Sequence, residues 1–149
     1  MNVGFTGTRE GMSAEQRNAF RKWLDGCLNI QQFRHGCCLG ADEEAVLIAD
    51  KLLPLSCIIG HPPKFTTLMS TLSLRHSAID QPPEADLDRN CDIVHATNLL
   101  VAAPSTQNEQ PRSGTWATIR YAQARRQAVL IFYPSGSQEM SAPVGYCLD

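Results

Sequence analysis

The segment Arg112-Ser113-Gly114-Thr115 combines an arginine, two hydroxyl side chains and a glycine directly before a helix-forming stretch. Backbone N–H groups in the first turn of a helix lack intrahelical partners and carry partial positive charge. With a guanidinium beside them, such groups are suited to binding an anion, and phosphate above all. Ordinary capping is the alternative interpretation, since Ser and Thr are common at helix starts. The adjacent arginine favours phosphate binding.

Two further segments carry residue types that suit a nucleotide. Gly7-Thr8-Arg9 supplies a glycine that lets the backbone approach a ligand, and a hydroxyl and a guanidinium for phosphate or ribose oxygens. Gly40-Ala41-Asp42 removes side-chain bulk at a helix start and adds a carboxylate for a ribose hydroxyl or a base amino group. The alternatives are a turn with a solvated arginine in the first segment and capping by Asp42 in the second.

Other candidates depend on their position after a predicted strand or near one. His61 and Pro104 each follow such a strand, although a loop histidine with no role is the alternative for His61. For Arg89 and Asn90 two interpretations are open, contact with the ligand and a solvated helix face, and the solvated face is favoured. An acidic stretch is also predicted to be solvated, unless its loop folds over the pocket and supplies a general base: Asp80, Glu84, Asp86 and Asp88. The predicted ligand-binding residues are Gly7, Thr8, Arg9, Gly40, Ala41, Asp42, His61, Pro104, Arg112, Ser113, Gly114 and Thr115.

The elements that position these residues are predicted from short apolar runs, which indicate strands, and from helical patterns between them. Apolar runs predict five strands, at residues 1–6, 33–38, 55–60, 98–103 and 128–133. Ser13 and Gln16 form a capping box that opens the first helix. Further helices are predicted after Asp42, around Cys91 and over 114–127. Residues 61–83 form a long connection of the kind that often acts as a lid, and the tail from Pro134, including Gly145, is predicted to be irregular.

This order of elements predicts the α/β class. We expect one Rossmann-like domain over residues 1–149, with a mainly parallel sheet of about five strands and helices on both faces. In such sheets ligands bind beyond the carboxyl ends of the strands, where the strand order switches direction. The three polar segments all follow predicted strands, so we expect them to meet at that edge.

Composition excludes several classes of protein. With 149 residues, 43% of them apolar and 19% charged, disorder is not indicated. The net charge of −2 makes nucleic acid an unfavoured partner. No apolar run is long enough to cross a membrane and the N-terminus lacks the features of a signal peptide, so a cytoplasmic location is expected. The six cysteines, of which Cys147 is the last, lack zinc-site spacing; we expect reduced thiols and no cofactor.

In order and spacing these segments resemble the SLOG superfamily of Rossmann-like domains, which includes LOG phosphoribohydrolases and DprA DNA-processing proteins. The likeness to DprA is closest at residues 112–118, followed by Ala122, Val129 and Pro134, and it extends to Gly36 through Asp42 with Glu44 and Ala45. The resemblance covers nearly the whole chain. It implies a nucleotide-type ligand and a homo-oligomer.

One departure from the LOG pattern bears on catalysis. LOG enzymes carry a catalytic glutamate in this helix, whereas Ser113 to Gln127 contains no carboxylate, and Ile119, Arg120 and Tyr121 stand where it would fall. Cleavage of an N-glycosidic bond normally needs a carboxylate. We therefore expect binding without turnover. The SLOG resemblance implies what would be bound: SLOG domains in bacterial antiviral effectors sense signalling nucleotides, so the protein would be a sensor of such a molecule, of cyclic ADP-ribose or cyclic-nucleotide type, in anti-phage defence. If encoded by a virus, it would instead be a sponge acting against that defence in the host cytoplasm.

Two other functions stay open. One is a LOG-like N-glycosidase acting on nucleoside monophosphates, with its carboxylate drawn from Asp42 or from the acidic stretch between Asp80 and Asp88. The other is a DprA-like module that binds single-stranded nucleic acid, which would lose affinity as salt rises.

Overall fold

A central sheet organises the protein in the computed structural model, which describes residues 1–143. Its strands are β1 (Asn2–Gly7), β2 (Gln32–His35), β3 (Ile58–Gly60), β4 (Ala78–Ile79), β5 (Leu99–Ala103), β6 (Ala128–Phe132) and β7 (Gln138–Ser141). The helices in the same residues are α1 (Ala14–Asp25), α2 (Ala41–Asp50), α3 (Thr71–Arg75), α4 (Asp86–His95) and α5 (Gly114–Ala124). Short 3₁₀ turns cover Leu55–Cys57 and Thr66–Leu68.

The strand order defines a Rossmann-like α/β fold, as the sequence predicts. Across the sheet the order is β4-β3-β2-β1-β5-β6-β7. Every pair is parallel except β6 with β7, which is antiparallel. After β1 the chain builds the sheet in one direction through β4 and then returns to add β5 on the other side of β1. The carboxyl ends of β1 and β5, where Gly7 lies beside Ala103, therefore flank the switch point.

Alternating side chains bury both faces of the sheet. In β6, Leu130 and Phe132 belong to the core cluster that includes Phe20 and Leu24 of α1. Val129 and Ile131 belong to the opposite cluster, which includes Ile119 of α5. Strand residues point alternately to the two faces, so these apolar runs require helices on both sides. Helices α1 and α2 cover one face, and α4 and α5 cover the other.

The described residues contain seven strands rather than the predicted five. Strand β4 has two exposed residues within the connection 61–83, so no apolar run marks it. Strand β7 lies in the tail that was predicted to be irregular, and its side chains are mostly exposed. A tight turn forms this hairpin, since Tyr133 N–H donates to the Ser137 carbonyl at 2.9 Å and Gly136 adopts φ = 87°. Residues 144–149, with Gly145 and Cys147, lie outside the described part.

The start of α1 is fastened to the strand ends. The predicted capping box is present, because Ser13 Oγ accepts from Gln16 N–H at 3.0 Å and Gln16 Oε1 accepts from Ser13 N–H at 2.9 Å. Gln16 Nε2 also donates to the carbonyls of Pro104 at 2.7 Å and Phe132 at 2.8 Å. The buried glutamine thereby fixes where the chain leaves β5 and β6. None of the described helices is long and apolar enough to cross a membrane.

Candidate functional site

A cavity of about 400 Å³ opens at the carboxyl end of β1, between the starts of α4 and α5. Its volume falls within the range of small-molecule sites, and its place beside the strand-order switch is where α/β sheets bind ligands. Eight of the predicted residues line it: Gly7, Thr8, Arg9, Asp42, Arg112, Ser113, Gly114 and Thr115. The other lining residues are Phe5, Thr6, Glu10, Cys38, Asp86, Leu87, Arg89 and Asn90.

The start of α5 forms one wall and has free hydrogen-bond donors. Ser113 is the N-cap, and its Oγ accepts from Trp116 N–H at 3.2 Å. Within the described residues, the N–H groups of Gly114 and Thr115 make no hydrogen bond. Arg112 is exposed and forms no ion pair with any described residue. This wall therefore offers two amides and a cation to an anionic group.

The loop after β1 forms the opposite wall and is held firmly. Thr8 N–H donates to the Ala103 carbonyl at 3.0 Å, and the Thr8 carbonyl accepts from Ala41 N–H at 2.9 Å. A Cβ on Gly7 would lie 2.5 Å from the Cβ of Ala41, so only glycine allows this approach. The close packing leaves the Thr8 side chain along the cavity.

An ion pair joins two residues that line the cavity. Arg9 Nη2 lies 2.7 Å from Asp86 Oδ2, and both side chains are partly exposed. Asp86 belongs to the acidic stretch that was predicted to be solvated, yet it is the first residue of α4 and lines the cavity. Arg9 is thus already paired with a carboxylate, in contrast to Arg112.

Arg89 is buried in the wall between α4 and the end of β2. It is 5% exposed, which corrects the prediction of a solvated helix face. Its Nη1 donates to the Gly36 carbonyl at 2.6 Å, and its Nε donates to Asn90 Oδ1 at 2.9 Å. A Cβ on Gly36 would lie 2.8 Å from the Arg89 Cζ. The absence of a side chain at Gly36 therefore makes room for the guanidinium, and Asn90 in turn donates to Thr118 of α5 at 3.1 Å.

Asp42 places a buried carboxyl group in the cavity wall. Its Oδ2 accepts from the N–H groups of Gly36 at 3.1 Å and Cys38 at 3.2 Å. Burial raises the Asp42 pKa to about 6, against the opposing effect of the nearby Arg89 charge. The group therefore titrates close to neutral pH. Burial likewise raises the pKa of the Cys38 thiol, so this cysteine is protonated and weakly nucleophilic at neutral pH.

Gly40 and Ala41 were predicted to contact the ligand, but they do not line the cavity. Their small size instead allows the loop after β1 to pack closely against the start of α2. Gly40 has φ = 85°, and a Cβ there would lie 2.3 Å from the Arg9 carbonyl oxygen. Ala41 is fully buried against Gly7. The lack of bulk at Gly40 does allow a close approach, but the group that approaches is the backbone of Thr8 and Arg9.

His61 and Pro104 also lie away from the cavity lining. His61 is 2% exposed and its Nε2 lies 3.0 Å from Arg34 Nη1, in a polar cluster near the β4 edge of the sheet. Burial and the Arg34 charge lower the His61 pKa to about 4. Pro104 is buried and its carbonyl accepts from Gln16. The connection 61–83, considered above as a lid, contributes no residue to the lining.

Among the described residues, no group of three or more His, Cys, Asp or Glu side chains is arranged to hold a metal ion. The five described cysteines are free thiols. The cavity nevertheless brings three arginines and three carboxylates together: Arg9, Arg89, Arg112, Glu10, Asp42 and Asp86. This composition suits a ligand that carries both anionic groups and hydrogen-bond donors.

The fold and this site define a Rossmann-like α/β protein with a cavity of small-molecule size beside the strand-order switch, and two solved structures share the fold. The molybdenum cofactor binding protein from the phototrophic bacterium Rippkaea orientalis has a TM-score of 0.63 and 19% identity, over 89% of this chain and 76% of that one. DNA processing protein A from Helicobacter pylori, described for its single-stranded DNA binding mode, has a TM-score of 0.60 and 16% identity, over 88% of this chain and 64% of that one.

These identities establish the fold alone. No protein-family model and no curated protein matches the chain. The chain spans less than two thirds of DNA processing protein A, a member of the superfamily that the sequence resembles.

Proposed function

We propose that the cavity binds a phosphate-bearing nucleotide or a nucleotide-derived signalling molecule, with its anionic group at the first turn of α5. One observation carries the proposal. Arg112, which has no ion pair within the described residues, and the unbonded N–H groups of Gly114 and Thr115 line the same cavity. An anion there would gain charge-assisted hydrogen bonds without breaking existing ones.

The rest of the cavity supports a nucleotide rather than a bare anion. The Thr8 hydroxyl can donate to a ribose or phosphate oxygen, because Glu10 N–H occupies only its acceptor side at 3.2 Å. Asp42 keeps one carboxylate oxygen free of hydrogen bonds to described residues and can accept from a ribose hydroxyl or a base amino group. The volume of about 400 Å³ accommodates a ligand with more than a phosphate.

The biological setting of this proposal follows the SLOG resemblance. We place the chain in that superfamily as a single ligand-binding domain over residues 1–149. The lack of a carboxylate in Ser113 to Gln127 favours a sensor or sponge over an enzyme. A cyclic ADP-ribose species is the proposed type of ligand, a homo-oligomer the proposed assembly and the cytoplasm the proposed location. Fold analogy supports this setting, whereas the cavity residues support the binding itself.

Calorimetric titration with AMP, ADP-ribose and cyclic ADP-ribose tests the proposal. For the compound that binds most tightly, Arg112→Ala should cost about 1.5 to 3 kcal/mol of binding free energy, roughly ten- to a hundredfold in affinity. Arg21→Ala is the matched control, since Arg21 is an exposed arginine of α1 on the opposite face of the sheet. Equal affinities of the two variants for every bound compound would contradict the proposal.

A second candidate function is N-glycosidic cleavage, favoured by one observation. The raised pKa of Asp42, about 6, allows the carboxyl group to be protonated in part near neutral pH and to act as a general acid. Free base released over many turnovers from AMP or NAD, and lost in Asp42→Asn, would establish it. The shared fold with DNA processing protein A favours single-strand binding as a third candidate. A gel shift with single-stranded DNA that weakens with salt would support that candidate.

A further inference from the structure

The carboxylate of Asp86 lies close to two guanidinium groups, those of Arg9 and Arg89. Its Oδ2 is 2.7 Å from Arg9 Nη2, and its Oδ1 is 3.7 Å from Arg89 Nη2. All three residues line the cavity. Arg9 and Asp86 are far apart in sequence, so the contact depends on the tertiary fold rather than on local helix capping.

The same position has the properties of an anion site. It lies at the first residue of α4, whose N-cap Ala85 supplies no capping side chain, and helix starts favour negative charge. Arg89 is 95% buried, since its exposed fraction is 5%, yet its Nη2 makes no hydrogen bond with any described residue. Apart from the long 3.7 Å ion pair with Asp86, this buried Nη2 has no partner in the described residues, so its N–H groups can donate to a ligand oxygen.

We infer that Asp86 occupies a second anion subsite of the cavity and thereby determines which charge class of ligand binds. A compound with one phosphate would bind at α5 with Asp86 in place. A compound with two phosphates would bind its second one only by displacing the Asp86 carboxylate from Arg9. The inference rests on the proposed function of this cavity and adds a specificity-determining residue to it.

Exposure makes this displacement feasible. The Arg9 and Asp86 side chains are 51% and 36% exposed, and ion pairs at such positions contribute little to stability. A phosphate dianion offers more acceptor oxygens and charge than one carboxylate, so it can replace Asp86 between the arginines. The exchange still leaves the displaced carboxylate near the ligand, where repulsion lowers affinity. Asp86 thus weakens the binding of doubly phosphorylated compounds while leaving singly phosphorylated ones almost unaffected.

Inorganic phosphate and pyrophosphate are the test probes, because they report the anion subsites without any contribution from a base. Their dissociation constants would be measured by calorimetry for the full chain and for Asp86→Asn. Asp88→Asn is the matched control, since it removes the same charge from an exposed position on the same helix. The Asn side chain of Asp86→Asn can still contact Arg9 through its amide, so the shorter Asp86→Ser, which removes that contact too, is a second variant. Thermal unfolding checks that each variant folds.

The expected result is selective. Asp86→Asn and Asp86→Ser should raise the affinity for pyrophosphate about tenfold and that for phosphate by less than about threefold. The reason is that only the second phosphate of pyrophosphate gains the charge-assisted hydrogen bonds from which the Asp86 carboxylate no longer excludes it. Asp88→Asn should change neither. An equal gain for both probes, or the same gain in Asp88→Asn, would overturn the inference and leave the α5 site intact. Binding of neither probe to the wild-type chain or any variant would overturn the proposed function together with the inference.

Discussion

Two polar regions of this protein differ in whether their polar groups already have partners. Near the β4 edge of the sheet, an edge cluster formed by Arg34, His35, His61, Ser77 and Asp80 satisfies itself: His35 Nε2 lies 2.7 Å from Ser77 Oγ, and Arg34 contacts both His61 and Asp80. At the start of α5, Arg112 and two amides find no such partners within the described residues.

The difference teaches how to separate structural polar residues from candidate binding residues. Buried polar groups must be hydrogen-bonded, and losing a partner is costly. The edge cluster therefore stabilises the fold, whereas the α5 start has donors left for a ligand. Removing a side chain of the edge cluster should lower stability and leave binding unchanged, whereas removing the Arg112 guanidinium should lower binding and leave stability unchanged.

The largest effect is expected from His35→Ala. The ring is fully buried, accepts from Cys37 N–H at 3.1 Å and contacts Ser77. Its removal leaves a cavity and unpaired groups, so the free energy of unfolding should fall by about 3 kcal/mol. Denaturant unfolding measures this, with the exposed His95→Ala as the control, expected within about 0.5 kcal/mol of wild type. A fall of similar size in both variants would remove the distinction between the regions.

The edge cluster should also make stability depend on pH. Burial lowers the pKa of His61 to about 4 and that of His35 to about 3, both from 6.5. Below pH 6.5 the unfolded chain therefore binds protons that the folded chain does not, and stability is lost as pH falls toward 4. Asp42 in the cavity acts in the opposite direction, because its raised pKa lets the folded chain bind a proton first.

Since two histidines oppose one carboxyl group, the loss should dominate. His61→Gln should make the loss of unfolding free energy between pH 7 and pH 4.5 smaller by about 2 kcal/mol. Urea unfolding at pH 7 and pH 4.5 measures the change. A constant offset between variant and wild-type curves would show that His61 does not titrate in this way.

The smallest effect is expected from Gly114→Ala. No atom lies within 4 Å of the added methyl group, and the position is the first residue of α5. Alanine should raise the unfolding free energy by about 0.5 kcal/mol and keep the amide that the ligand needs. Gly36→Ala is the comparison, since its methyl group would lie 2.8 Å from Arg89 Cζ and should destabilise the fold. Thermal unfolding of both variants measures the difference. Equal losses of stability in the two variants would contradict the view that space is open at Gly114 and filled at Gly36.

Much of the architecture could be predicted from the sequence because it depends on strong local signals. The five apolar runs locate the buried strands, and Ser13 with Gln16 marks the start of α1. Strands β4 and β7 were missed because β4 has only two residues and the side chains of both strands are mostly exposed. Pro134-Ser135-Gly136-Ser137 beside a buried strand is a hairpin signal that could have indicated β7.

The site could be predicted only in part. The rule for parallel sheets locates the cavity, and eight predicted residues line it. Sequence reasoning favoured solvated positions for Asp86 and Arg89, because helix periodicity does not reveal that Gly36 makes room for the Arg89 guanidinium. It included Gly40 and His61 because a glycine or histidine after a strand looks the same whether it approaches a ligand or the protein itself.

The most direct test of the account is to follow backbone amide resonances during titration with the tightest-binding nucleotide. The account predicts that the Gly114 and Thr115 amide signals move most, because their free N–H groups acquire an acceptor. Signals from Gly40, Ala41 and His61 should move little, since these residues do not line the cavity. Saturable shifts centred on His61 or on Gly40 and Ala41, with Gly114 and Thr115 unmoved, would contradict it.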